Sequence, residues 1–202
     1  MARLLLSKAT LSKQRQQLKA YQRYLPSLEM KRQQLMAARK QAQEAIARLQ
    51  KEQSELDRRV AEQMPMLAAY EADLSLLCLV RQVSTRRRNI VGVWVDEIDV
   101  LEFDNQPIPL MGRPHWIAPL QRWLQSGMAL RLRIDLAHRN EAAIAAALRK
   151  VTQRVNLFDK VLIPETLANI RRIRIFLDDK DREAVVTSKI AKGKHAQNEV
   201  AV

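Results

Sequence analysis

A heptad repeat of apolar residues runs from Leu11 to Leu77, and it constrains this 202-residue chain more than any other feature. Two lines of residues, each with a period of seven, carry the repeat. The first comprises Leu11, Leu18, Leu25, Arg32, Arg39, Ile46, Gln53, Val60, Leu67 and Leu74, and the second comprises Leu28, Leu35, Ala42, Leu49, Leu56, Gln63, Tyr70 and Leu77. Alternating spacings of three and four are typical of a left-handed coiled-coil seam. As one helix this segment would extend about 100 Å at 1.5 Å per residue, so it predicts a rod.

The C-terminal half repeats the same spacing, which predicts a second long helix over residues 129–190. Its apolar positions are Ile144, Leu148, Val151, Val155, Phe158 and Leu162, and after Pro164 they continue one residue out of phase as Ile163, Leu167, Ile170, Ile173 and Leu177. A slip of this kind changes the local supercoil. The polar residues 191–202 are predicted to form a flexible tail.

The periodicity changes between the two helices. Residues 89–95 and 98–103 are rich in β-branched side chains and flank Asp96 and Glu97, which predicts a β-hairpin with its turn at that pair. Residues 116–126 predict a short amphipathic helix that ends at Gly127. The predicted fold is therefore dominated by α-helix: a long antiparallel two-helix coiled coil with a small central head containing a short β-hairpin and a short helix.

The predicted organisation along the chain has four parts. Residues 1–84 form the N-terminal coiled-coil helix, 85–128 the head, 129–190 the C-terminal coiled-coil helix and 191–202 the tail. Pro26, Pro65 and Pro164 are expected to bend the helices, because proline lacks an N–H and clashes with the preceding turn. Two arginines on the seam, Arg32 and Arg39, must either pair with acids on the facing helix or lie where the seam opens to another subunit. Pairing is favoured, and a fold-back centred near residue 105 would bring Asp178 or Asp179 to Arg32.

The composition is typical of long helices and also indicates which partners and which location to expect. Aromatic residues make up 4% of the chain, there are 4 glycines, and the formal net charge is +13. Such a charge attracts polyanions or acidic protein surfaces, although a long exposed helix also needs charge to stay in solution. The single cysteine, Cys78, excludes an internal disulfide and is expected to be a buried structural thiol. No leader-like segment or membrane-length apolar stretch is visible, so a soluble cytoplasmic chain is expected.

Residues that could carry catalysis or bind a metal do not cluster in the sequence. The three histidines are scattered, no glycine-rich phosphate loop exists, and no nucleophile–base pair can be assembled. We therefore expect no enzyme activity, no cofactor and no metal. The basic N-terminal helix and Arg86–Arg88 are the arguments for nucleic acid, but the charges of the helix are spread around its circumference. A nucleic-acid-binding coiled coil remains a weak alternative.

The second helix also carries a resemblance to a known family. Residues 151–164, VTQRVNLFDKVLIP, and 167–183, LANIRRIRIFLDDKDRE, resemble the C-terminal helix of the D subunit, the central-stalk axle of V-type and A-type rotary ATPases. The N-terminal helix is similar to that family's first helix, and residues 89–95 stand where the family has its central hairpin. One departure is Leu157-Phe158-Asp159, which replaces the usual Ala-Leu-Glu.

The resemblance implies a non-catalytic rotor shaft that couples ATP hydrolysis or synthesis to rotation of a membrane ring and to proton or sodium transport. The implied partners are the A and B subunits of the catalytic ring, the small F subunit of the central stalk and a socket subunit above the membrane ring. Neither nucleic acid binding nor direct membrane insertion is implied, and the location is cytoplasmic and peripheral to the membrane. The alternative is a free-standing coiled-coil scaffold or tether.

Two sets of contact residues follow from the resemblance. Contacts with the catalytic ring are assigned to Arg149, Lys150, Gln153, Arg154, Asn156 and Lys160, although an ordinary solvated helix face explains them equally well. Contacts with the second stalk subunit or socket are assigned to Val93, Trp94, Val95, Trp116 and Trp123. For this second set, a place in the head's own core is the favoured alternative.

Overall fold

The computed structural model describes residues 5–69, 77–104 and 114–200, and it describes the side chains of these residues except those of 68–69 and 193–200. In chain order the elements are α1 (Lys8–Gln63), a 3₁₀ helix (Pro65–Ala69), β1 (Leu79–Ile90), β2 (Val93–Asp104), α2 (Ile117–Leu157), a π-helical turn (Phe158–Leu162) and α3 (Ile163–Val200). The predicted fold class is confirmed: the chain is mostly helical and contains one two-stranded antiparallel hairpin within the described ranges. It divides into two compact units, one of Met1–Met30 with Val151–Val202 and the other of Lys31–Lys150.

Helix α1 has 56 residues and a defined start. The carbonyl of Ser7 accepts from the Leu11 N–H at 3.0 Å, and its hydroxyl oxygen accepts from the Thr10 N–H at 3.2 Å, which satisfies an otherwise unpaired donor of the first turn. The helix continues through Pro26 and ends at Gln63, two residues before Pro65. The prediction of helix as far as residue 84 is wrong, because residues 79–84 lie in β1. Heptad positions Tyr70 and Leu74 lie outside the described residues.

The hairpin turns at Val91 and Gly92, so the prediction of a turn at Asp96 and Glu97 is wrong. Ile90 pairs with Val93 across the two-residue turn, in which Val91 has φ 54° and Gly92 has φ 83°. Positive φ at both central residues is the type I′ geometry that matches the right-handed twist of the strands. The sequence hid this turn because a β-branched residue stands where asparagine or glycine is usual. Each strand has 12 residues.

Helix α2 is continuous from Ile117 to Leu157, so the prediction of a short helix ending at Gly127 is also wrong. Glycine inside a helix costs roughly 1 kcal/mol relative to alanine but does not end it without a C-capping geometry. Gly127 faces α1, where an added Cβ would lie 3.6 Å from Cδ2 of Leu56. Residues 191–200 of the predicted flexible tail are helical as well, because α3 runs to Val200.

The phase slip near Pro164 has a structural cause. The N–H of Ile163 donates to the carbonyl of Phe158, an i to i+5 bond that closes the π-helical turn and absorbs one extra residue. Proline at position 164 has no N–H to donate and would clash with the carbonyl four residues earlier in a regular α-helix. Beyond the turn, the buried position is Thr166 at 5% exposure rather than the predicted Leu167, which is 48% exposed.

Each unit has its own apolar core. In the unit of Lys31–Lys150, a cluster of Met64, Leu77, Ile117 and Leu120 joins the ends of the two helices, and Leu35, Ile46, Ile134 and Ile144 are buried further along them. In the other unit, the buried apolar residues are Val151, Val155, Ile170 and Ile173, and the rings of Tyr21 and Phe158 meet edge to face at 5.4 Å between centroids. Ile173 is completely buried. These are the narrow cores that a two-helix seam requires.

The two seam arginines have different environments. Nε of Arg39 lies 2.7 Å from Oε1 of Glu141 on α2, so the predicted pairing is confirmed for Arg39. Midway along the chain between residues 39 and 141 lies residue 90, at the hairpin turn, so the prediction of a fold-back centred near residue 105 is wrong. Arg32 has a buried Nε with no hydrogen-bond partner among the described residues, and the predicted ion pair with Asp178 or Asp179 is not found among them.

Candidate partner-binding surfaces

The side chains assigned to ring contact are all exposed. Arg149 and Lys150 belong to the unit of Lys31–Lys150, whereas Gln153, Arg154, Asn156 and Lys160 belong to the other unit. None of their four charged groups forms a salt bridge with any residue that the structure describes. Their charges are therefore available to a partner, which is what both a contact surface and a solvated helix face require.

Exposed apolar side chains near these positions were missed by the sequence analysis. Leu157, Val161 and Leu167 are 47–48% exposed, and α3 presents Ile175, Val185, Val186 and Ile190 at 54–55%. Leu167 was predicted to lie on the seam, but the other residues fall between or beyond the predicted seam positions, so a seam pattern alone assigns them no role. Exposed aliphatic residues that adjoin one another mark protein–protein contacts, so these residues are candidates for a contact surface.

A basic groove lies between α1 and α3 in the unit of Met1–Met30 and Val151–Val202. Its volume is about 600 Å³, and its lining includes Arg15, Lys19, Arg171 and Arg174 beside the apolar Leu18 and Ile170. No acidic residue is among its described lining. A groove lined by four cations and by apolar side chains suits a partner surface that carries carboxylates.

The residues assigned to the second stalk subunit or socket separate into two groups. Trp94 is 64% exposed and Val93 is half-buried, whereas Val95 is 3% exposed. Trp116 and Trp123 pack against the cluster of Met64, Leu77, Ile117 and Leu120. Val95 and the two clustered tryptophans thus serve the unit's own core, and Trp94 is the aromatic residue of the set that presents a free face.

A second groove, of about 760 Å³, lies where α1 ends and α2 begins. Its walls are mainly apolar and include Leu56, Val60, Met64, Leu120 and Trp123. The contributing residues are about 60 positions apart in the sequence, so only tertiary structure brings them together.

A side-chain amide of α2 binds the backbone of the hairpin. The N–H of Asp96 donates to Oδ1 of Asn140 at 3.1 Å, and Nδ2 of Asn140 donates to the Asp96 carbonyl at 2.6 Å. Asn140 thereby satisfies both outward-facing backbone groups of one β2 residue, as a neighbouring strand would. At the hairpin tip, Gly92 lies next to the end of the Lys31 side chain of α1, where an added Cβ would be 3.3 Å from Nζ.

Charges on the hairpin are arranged by strand. β1 carries Arg81, Arg86, Arg87 and Arg88 and no acid, whereas β2 carries five acids and no base. Arg87 pairs with Asp96 at 3.5 Å and Arg88 with Glu97 at 3.1 Å. These pairs are exposed, so each contributes little to stability, roughly 0–1 kcal/mol.

The described residues include neither a metal-binding cluster nor an activated thiol. Across residues 5–69, 77–104 and 114–200, no group of three His, Cys, Asp or Glu side chains could hold a metal ion. Burial raises the pKa of the Cys78 thiol above its ordinary value, which keeps it protonated and poorly nucleophilic at neutral pH. No described helix is both long and apolar enough to cross a membrane.

Taken together, these features define an antiparallel coiled-coil protein with an inserted β-hairpin and with surfaces suited to protein partners. The family model of the ATP synthase D subunit matches residues 10–193, and the chain belongs to that family. It is 30% identical over 192 residues to the V-type ATP synthase D subunit of Borreliella burgdorferi, covering 95% of each chain. It is 29% identical over 203 residues to the protein of the same name from Chlamydia trachomatis serovar L2, covering 96% of each, and 27% identical over 198 residues to that of Chlamydia pneumoniae, covering 94% of this chain and 91% of the relative.

The family assignment confirms the resemblance seen in residues 151–183. The D subunit is a central-stalk subunit of a rotary ATPase, so the predicted functional class is confirmed, and the scaffold and nucleic-acid alternatives are not favoured.

Proposed function

We propose that this chain is the non-catalytic rotor shaft of a V-type ATP synthase, with its ring contacts mainly on the unit of Met1–Met30 and Val151–Val202. The observation that carries the proposal is the family match over residues 10–193. The expected ring consists of A and B subunits. In this arrangement the chain contributes no catalytic group, and ATP hydrolysis or synthesis occurs in the ring around it.

The physical requirement for such a shaft is stiffness with an irregular surface. In each unit a segment of α1 is supported by a second helix along a buried apolar seam, which resists bending better than a single helix does. The π-helical turn at Phe158–Leu162 and Pro164 interrupt the regular surface of the second helix. Because of such irregularities, the contacts between the shaft and the surrounding ring change as the shaft rotates. Torque transfer requires contacts that depend on the rotation angle.

The ring contacts that we propose combine the predicted polar residues with their apolar neighbours. Arg154 and Lys160 are exposed cations, and Leu157 and Val161 beside them are exposed aliphatic residues. The basic groove lined by Arg15, Lys19, Arg171 and Arg174 supports an acidic lining on the partner. The other members of the proposed set are kept on the same grounds of exposure: Arg149, Lys150, Gln153 and Asn156.

The unit of Lys31–Lys150 is proposed to bind the small F subunit and the socket above the membrane ring. Trp94 and the apolar groove between the helix ends support this assignment, because exposed aromatics and apolar concavities are enriched at protein interfaces. Such a chain would be peripheral to the membrane and cytoplasmic, held there by its partners.

The test is co-expression of the chain with the A and B ring subunits of the same organism. We expect the chain to co-purify with the ring and to raise its ATP turnover. The doubly reversed variant Arg154→Glu/Lys160→Glu should lower that stimulation about threefold to tenfold, because like charges would face the acidic lining. Reversal of an exposed arginine in the other unit, Arg133→Glu, is the matched control and should leave it unchanged. Failure of the unaltered chain to co-purify would contradict the proposal.

A further inference from the structure

The two outer edges of the β-hairpin differ in whether other residues bind their backbone groups. Asp96 of β2 directs its backbone N–H and carbonyl towards α2, where Asn140 binds both. Because the N–H and carbonyl of Asp96 point away from β1, they do not bond to its partner on that strand, Arg87. Asp96 and Arg87 are therefore a non-hydrogen-bonded pair. The turn leads to the same assignment. Ile90 and Val93 flank a two-residue turn and must form a hydrogen-bonded pair, and the two pair types alternate along the strands from there.

This alternation of pair types determines which backbone N–H and carbonyl groups of β1 point away from β2. Thr85, Arg87 and Asn89 occupy the non-hydrogen-bonded positions near the tip, so their N–H and carbonyl groups point away from β2. The sheet has two strands, and within the described ranges no backbone group of a third segment bonds to this side of β1. Ten of the twelve β1 residues are exposed. The outer side of β1 is therefore an open strand edge.

Charge limits what can pair with this edge. β1 has four arginines and no acid, and two of them, Arg81 and Arg86, have no ion-pair partner among the described residues. Pairing with a second copy of the same strand would bring together two strands that each carry four arginines and no acid, so it would add repulsion and no charge pairing. An extended segment with acidic side chains would instead gain main-chain hydrogen bonds and charge pairing together.

We propose that the outer edge of β1 is a strand-addition site, which accepts an acidic extended segment of a partner protein as a third strand. The exposed aliphatic side chains of Val80 and Val83, farther from the tip, would contact alternate side chains of that segment. Within the proposed function the partner is another subunit of the complex, and this part of the inference rests on that function. The four arginines of β1 disfavour pairing with a second copy and favour an acidic strand.

Amide hydrogen exchange of the full chain, followed by NMR, tests the site directly. In the free chain, the amides of Thr85 and Arg87 should exchange quickly, whereas the Arg88 amide, which points towards β2, should be protected. A ten-residue peptide of alternating glutamate and valine is the probe. At saturation it should slow exchange at Thr85 and Arg87 by about tenfold or more, and added salt should weaken its binding.

Matched substitutions at one position separate the edge from the ion pair. Arg87→Pro removes the outward N–H without removing a ladder donor, which an edge position tolerates, whereas Arg87→Ala removes the pair with Asp96 and keeps the N–H. We expect Arg87→Pro to weaken peptide binding about fivefold more than Arg87→Ala does, the contribution of one or two main-chain hydrogen bonds. Protection of the Arg88 amide in both variants verifies that the hairpin is intact.

The same exchange measurement in the assembled complex distinguishes this proposal from the proposed function. If the chain assembles with its ring and stalk partners while the peptide fails to bind and Thr85 and Arg87 stay unprotected, strand addition is wrong and the shaft function stands. If the chain does not assemble but the peptide protects these amides, the strand-addition site stands and the shaft function fails. Protection that appears with rising concentration of the chain alone would assign the edge to a second copy and overturn the inference.

Discussion

Arg39 on α1 donates through Nε to Oε1 of Glu141 on α2 at 2.7 Å, and Gln43 donates to the same carboxylate oxygen at 3.3 Å. Glu141 is 20% exposed and Arg39 is 43% exposed, so the pair is partly removed from water. A paired polar layer inside a mainly apolar seam favours one register, because any shift along the helices would leave these groups unpaired.

Loss of the Glu141 charge should therefore destabilise the unit of Lys31–Lys150. We expect Glu141→Gln to lower the free energy of unfolding by about 1 kcal/mol, measured by urea denaturation. The control is Glu62→Gln, which removes a surface pair with Arg58 on the same helix and should cost roughly 0.3–0.5 kcal/mol. Equal losses in the two variants would show that the seam pair has no special role.

The hairpin turn offers a stabilising substitution. Val91 adopts φ 54°, a region that β-branched residues rarely occupy, so Val91→Asn should raise the free energy of unfolding by about 1 kcal/mol. Gly92→Ala should have the opposite effect, because it places a Cβ at φ 83° and 3.3 Å from Nζ of Lys31. Thermal unfolding of both variants checks the prediction, and a lower melting temperature for Val91→Asn would contradict it.

Asn140 should control how the hairpin is held against α2. Asn140→Leu removes both bonds to Asp96 and leaves two backbone groups without a protein partner, at a cost of about 1–3 kcal/mol. Asn140→Asp retains an acceptor for the Asp96 N–H but faces the Asp96 carbonyl with a second acceptor. We expect faster exchange of the Asp96 amide in the leucine variant than in the aspartate variant, and the same rate in both would indicate that this bond does not hold the hairpin.

Two isoleucines on opposite sides of α3 differ in burial, so their substitution should have different effects on stability. Ile173 is fully buried and Ile175 is 54% exposed, although they lie two residues apart on α3. Ile173→Ala should cost about 2–4 kcal/mol of unfolding free energy, whereas Ile175→Ala should change it by less than about 0.5 kcal/mol. Urea denaturation measures both, and a similar loss in the two variants would contradict the prediction. The exposed variant is also informative in the complex, where weakened ring binding would assign Ile175 to the interface.

The helices and the seam could be predicted from sequence because their signal is local and periodic. The heptad spacing places Leu35, Ile46, Ile144 and Ile173 on the seam, and all four are buried. The hairpin turn could not be predicted, because Val91 carries no turn signal and its conformation is maintained by strand pairing on both sides. Gly127 indicates a helix end in the sequence, but in the structure it lies within α2, where the helix faces Leu56 of α1.

The residues of the candidate surfaces also fall into those that could be predicted from sequence and those that required the structure. The exposure of Arg154 and Lys160 follows from the helical period, so a pattern of residues was sufficient to indicate it. The roles of Val95, Trp116 and Trp123 required the structure, because composition does not distinguish an aromatic contact residue from a core residue.

The sequence by itself determined that two long helices pair through a heptad seam, that a β-hairpin separates them, and that residues 151–183 resemble the axle subunit of rotary ATPases. These properties depend on spacing within a few turns of chain. Only the tertiary structure decided which acid pairs with Arg39, which hairpin edge Asn140 covers and which edge remains open. Those relationships join residues about 40 to 100 positions apart, and their register depends on where the chain turns, at Val91 and Gly92.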